Sequence, residues 1–169
     1  MTSTSGEGRR RPVGAHRAVE ARTPVQRVAL AVAVVFVVVG VLGFVPGLTT
    51  SYDALALAGP ESEALLLGLF QVSILHNVVH LLFGVVGWAL SRTAPGARAF
   101  LVGGGIVYLV LTVYGWLVDR DSAANFVPLN AADDWLHLAL GVGLTALGLL
   151  LPPHRRRSTV RGATNTPRG

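Results

Sequence analysis

Two histidines one helical turn apart, His76 and His80, lie in "HNVVHLLFG" at 76–84, and a third, His137, lies in "DWLHLALGVGL" at 134–144. All three are set in long apolar stretches. Neutral imidazole ligates zinc, copper and haem iron, and ligands at i and i+4 share one face of a helix. Histidine also relays protons, and an ionisable side chain inside a membrane segment marks a functional site by default. Asn77 adjoins the first pair. Asp133, four residues before His137, is the residue type that orients a ligating imidazole through its second ring nitrogen. His76, His80, His137, Asn77 and Asp133 are therefore the candidate ligand or proton site, for haem, a quinone or a divalent metal. Structural work competes for the same residues. Imidazole and amide groups bond between helices, and a carboxylate in a first turn complements the helix dipole. Asn130 and Asp133 also have the spacing of an N-cap and its reciprocal partner.

The elements that hold these residues follow from composition. Of 169 residues, 51% are hydrophobic and 14% charged, with a mean hydropathy of +0.56. A soluble domain carries about a quarter charged residues, enough to cover its surface. The chain has no cysteine, which excludes disulfides, thiolate catalysis, iron–sulfur clusters and cysteine zinc sites. Neither a glycine-rich phosphate loop nor an HExxH pattern is present.

Four apolar runs are long enough to cross a bilayer as helices, at about 28–45, 68–90, 99–118 and 135–151. The start of the second is ambiguous, anywhere between Leu65 and Val72. The expected architecture is an all-α integral membrane four-helix bundle at 28–151 between disordered basic tails at 1–27 and 152–169. With four crossings, 13 of the 14 Arg fall on one side and seven of the nine acids on the other. The positive-inside rule then places both termini in the cytoplasm of a multi-pass plasma (inner) membrane protein. The same placement accounts for the net charge of +5 without nucleic acid as a partner. A cleaved signal peptide is the weaker reading of the first run, because its small-residue "ALALAG" lies well past the apolar stretch.

Small and polar residues recur at steps of three and four on the second and fourth runs. Ser73, Gly84 and Gly87 join the histidines on one, and Gly141, Thr145 and Gly148 join His137 on the other. Such stripes let helix backbones approach closely, and the two are expected to face each other or the bundle axis. Gly103, Gly104 and Gly105 offer a similar approach on the third run. "NVVHLLFGVVG" at 77–87 and "DWLHLALGVGL" at 134–144 match at a constant offset of 57, aligning His80 with His137 and Gly84 with Gly141. This echo points to two similar helical hairpins inserted in the same direction.

"HNVVHLLFGVVG", "ARAFLVGGGIVYLVL" and "NFVPLNAADDWLHLALGVGL", in that order, resemble a family of small four-helix membrane proteins found mainly in actinobacteria, domain-of-unknown-function family 4383. The resemblance covers about residues 25–152. It implies the four-helix topology and makes His80, Asn130, Asp133 and His137 motif positions, while implying no activity, substrate or cofactor. The leading functional expectation is a structural or accessory integral membrane protein, partnered by the bilayer and by a second copy or another membrane protein. The alternatives are a haem, quinone or metal protein built on His76, His80 and His137, and a channel or transporter subunit. Whether the chain is an enzyme stays open, with the residues leaning against it.

Overall fold

A computed structural model describes residues 21–152. The expected tails fall for most of their length outside those residues. Four helices carry the fold: α1 (Pro24–Leu42), α2 (Ile74–Leu90), α3 (Ala94–Leu117) and α4 (Ala131–Leu150). Two of them, α1 and α3, are long and apolar enough to cross a membrane. The loop between α1 and α2 adds a small antiparallel sheet of two-residue strands, β1 (Thr49–Thr50), β2 (Leu65–Leu66) and β3 (Phe70–Gln71), in the order β1-β2-β3. All-α thus describes the bundle but not its cap.

Local chemistry explains where the helices start. α1 begins at Pro24, inside the segment expected to be tail, because Thr23 and Gln26 close a cap there. Gln26 Oε1 accepts from the Thr23 backbone N–H and hydroxyl, both at 3.0 Å, and proline at the first helical position has no N–H to leave unpaired. α2 begins later than the range expected for the second run. Ser73 caps it, its Oγ accepting from the His76 N–H at 3.1 Å, and the apolar "LLLGLFQ" before it is spent on β2 and β3. A left-handed Leu67 (φ 55°) and Gly68 (φ 69°) turn the chain between those strands. Asn130 caps α4, accepting from the N–H groups of Ala132 (2.8 Å) and Asp133 (3.0 Å).

The helices pack as two hairpins, α1 on α2 and α3 on α4, with fewer contacts between the pairs. The offset of 57 extends to the first residues of α2 and α4, Ile74 and Ala131, and to their caps, Ser73 and Asn130. A second constant offset, 72, relates α1 to α3. Gln26 Nε2 donates to Ser91 O (3.1 Å) at the end of α2, and Arg98 Nε, at the position equivalent to Gln26, donates to Gly148 O (3.0 Å) at the end of α4. Gly43 admits the Asn77 side chain, and its equivalent Gly115 admits Asp134, which is equivalent to Asn77. The two offsets differ because the first loop carries the extra chain of the sheet. Two copies of one hairpin plan therefore build the bundle.

Within each hairpin the close approach falls on glycine. A Cβ at Gly84 would lie 2.9 Å from Ala33 O and 3.0 Å from Val37 N, and one at Gly141 would lie 3.0 Å from Leu109 N. At Gly84 and Gly141 the stripes of α2 and α4 thus face α1 and α3 and not each other as expected, whereas at Gly87 the stripe turns across to α3, between the hairpins. Gly87 is filled by the Phe100 ring, Gly148 faces Leu101 and Val102, and Thr145 meets Gly105. Of the three adjacent glycines only Gly105 makes such an approach; nothing lies within 4 Å of a Cβ at Gly103 or Gly104.

Gly84→Ala is expected to destabilise the fold by about 1–3 kcal/mol, because backbone must move to admit the methyl. Gly103→Ala, with open space around it, is expected to be neutral or to stabilise by up to about 1 kcal/mol through helix propensity. Melting temperatures in detergent compare the two.

Candidate functional site

His80 and His137 occupy the same turn of the two equivalent helices. Each meets the aromatic residue that its hairpin partner places opposite. The Phe36 and His80 ring centroids lie 5.4 Å apart, and those of Tyr108 and His137 lie 5.0 Å apart. Phe36 and Tyr108 are themselves equivalent by the offset of 72 and stack on each other at 5.9 Å, inclined by 15°. The rings of His76 and His80 stack at 4.3 Å, inclined by only 4°. These five rings from four helices, with Phe83 and Phe100 also against Phe36 at 5.6 and 6.2 Å, form one cluster where the hairpins meet.

The bonding within this cluster assigns one tautomer. His80 Nδ1 lies 3.0 Å from the His76 carbonyl oxygen, which can only accept, so Nδ1 carries the proton. In the neutral ring Nε2 is then an acceptor. His137 is 4% exposed and its Nδ1 has no hydrogen-bond partner among the described residues. A buried, unpaired imidazole nitrogen costs about 1–3 kcal/mol in desolvation, so it is a group for which a partner would be favourable.

Two clefts flank the rings. One, of 240 Å³, opens between α2 and α3 under Phe126 and Val127 of the loop before α4. The other, of 380 Å³, opens between α1 and α4 under Leu66, Leu67 and Phe70 of the sheet. His76, His80, Tyr108, Phe36 and His137 line both. The walls are otherwise almost wholly aliphatic and aromatic.

The structure brings the three histidines together, with Asp133 beside them on the wall of the second cleft but bonded elsewhere, and Asn77 packed away from both clefts. Asn77 is fully buried against Gly43, with neither side-chain polar atom bonded. Asp133 Oδ2 accepts from the backbone N–H groups of Gln71 and Asn130, both at 3.0 Å, so it fastens the sheet to the start of α4 and orients no imidazole. Asp134 pairs with Arg120 at 2.8 Å, its carboxylate 2% exposed against 45% for the guanidinium. As for metal, the lone pairs of two parallel stacked rings run side by side and do not converge on one ion. Among the described residues no three His, Asp or Glu side chains are grouped to hold one.

Sequence reasoning missed Phe36 and Tyr108, the centre of the cluster. The available signal was the offset of 72 between α1 and α3, hidden because valine-rich helices resemble one another almost anywhere. Asp133→Ala is expected to lower stability by about 1–3 kcal/mol, since two buried N–H groups lose their acceptor. Hydrogen exchange should quicken at Gln71 and Asn130 and stay unchanged at the far end of α4.

No curated protein and no solved structure matches the chain. A family model described as Domain of unknown function (DUF4383) matches residues 26–150. That match takes in the four helices except the first two residues of α1, and both clefts, and the chain belongs to this family.

Proposed function

We propose that the chain is a small integral membrane protein that crosses the bilayer four times with both termini in the cytoplasm, and that it acts as a structural or accessory component there. The observation that carries this reading is the outward surface of the bundle. Each helix turns large aliphatic residues outward: Val35 on α1 is 59% exposed, Val85 on α2 58%, Val110 on α3 61% and Leu149 on α4 61%. A soluble monomer rarely exposes contiguous apolar patches beyond a few hundred Å², whereas lipid takes such a surface without cost. Backbone groups also find partners within the helices, as a bilayer requires.

The ends of the bundle support the same setting. Trp88 lies near one end, with the Arg92 guanidinium 4.0 Å over its ring, while Trp116 and Trp135 meet edge to face at the other. Indole rings favour the headgroup layer. Arg92 and Arg98 stand at the end that faces the cytoplasm in this orientation, and the sheet and the Arg120–Asp134 pair stand at the opposite end. Within one chain the small-residue stripes are covered by partner helices, which favours a packing role for them over the lining of a channel.

Alkaline phosphatase joined after Ala123 should be active, and a fluorescent protein joined after Arg168 should fluoresce. Both reporters marking the same side would refute four crossings. Release of the chain from membranes by alkaline carbonate would refute integration itself.

A further inference from the structure

The hairpin duplication makes the two clefts equivalent, so their differences are informative. Interchanging the hairpins carries α2 and α3 onto α4 and α1, and therefore the cleft between α2 and α3 onto the cleft between α4 and α1. Both clefts share Phe36, His76, His80, Tyr108 and His137, so they differ only in their remaining walls. Asp133, in the second, is already bonded to two backbone N–H groups. Gly104 in the first stands where Val32 stands in the second, and nothing lies within 4 Å of a Cβ at Gly104. The second cleft is the larger, but at this position the first offers open space beside the shared rings.

We infer that the cleft between α2 and α3 binds a lipid-soluble aromatic ring with hydrogen-bonding oxygens at its edge, the chemical class of quinones and quinols. This rests on the membrane reading above, because such a molecule enters from lipid. The stacked His76 and His80 rings and the stacked Phe36 and Tyr108 rings offer flat faces for a planar group. His80 Nε2 accepts from a ring hydroxyl and the Tyr108 phenol donates to a ring carbonyl, beside the His137 ring. The volume of 240 Å³ falls below the roughly 300–1,000 Å³ of drug-sized pockets. It suits a ring headgroup, with the tail leaving between α2 and α3. Leu75, Val79 and Val107 form that mouth, at 39%, 38% and 44% exposure. The inference concerns binding and includes no electron transfer.

The test is calorimetric titration of the full chain in detergent with decylubiquinone, against decylbenzene as a hydrocarbon of like tail, with empty micelles as the blank. The quinone should bind at least about tenfold more tightly than the hydrocarbon. Gly104→Leu places a side chain in the open space and should reduce quinone affinity by about tenfold or more at an unchanged melting temperature. Tyr108→Phe should reduce it by about 5- to 10-fold, the loss of one hydrogen bond, while leaving the ring stack intact. If Gly104→Leu fails to fold, Tyr108→Phe decides alone. Equal binding of decylbenzene, undiminished binding by both variants, or no binding by the folded wild type would each overturn the inference. Failure of the topology fusions would instead strike the membrane reading, whatever the titration shows.

Discussion

Everything else in this bundle depends on how closely two backbones approach within each hairpin. At Gly84 and Gly141 no Cβ intervenes, and α2 and α4 settle directly onto the main chains of α1 and α3. That approach sets the rotation of each helix pair about its contact line. It thereby brings Phe36 over His80 and Tyr108 over His137. In lipid, where apolar side chains gain nothing by leaving solvent, van der Waals contact of this kind is the main attraction between helices. A methyl group at either position pushes the pair apart and displaces the rings that the pair holds.

The same arrangement explains why so much of the polar content can be buried. Asn77 and Asp134 fill the gaps opened by Gly43 and Gly115. Ser73, Asn130 and Asp133 spend their side chains on helix starts. Gln26 and Arg98 cap the carbonyl ends of the neighbouring helices, which would otherwise present unpaired acceptors. Of the polar groups that take no part in these duties, the imidazoles and the phenol are the ones gathered at the central cluster, where only His80 Nδ1 is bonded to backbone.

Much of this was legible in the residues. Four apolar runs, the recurrence at an offset of 57 and the small-residue stripes all rest on periodicity, which survives in a single sequence. The family resemblance rested on three motifs that the family match spans. What was not legible has physical causes. The second helix starts at Ile74, not within 65–72, because hydropathy cannot distinguish an apolar strand pair from an apolar helix, whereas the serine cap at Ser73 can. The stripes split, with Gly84 and Gly141 against α1 and α3 and the histidines between the hairpins, because spacing on one helix does not say which neighbour each residue meets. Asp133 looked like a partner for His137 by spacing alone. Its place in the first turn puts it nearer to the sheet's backbone than to the imidazole.

Two equivalent hairpins meet at the Phe36–Tyr108 stack, and the proposed membrane setting makes native membranes the place to test that contact. The natural chain has no cysteine, so a pair introduced at these two positions reports without background. Phe36→Cys/Tyr108→Cys, treated in native membranes with a short bifunctional thiol reagent, should yield an intramolecular cross-link that shifts the monomer band, while either single variant yields none. A double variant that stays unlinked, or links only between chains, would contradict the packing of the two hairpins on each other.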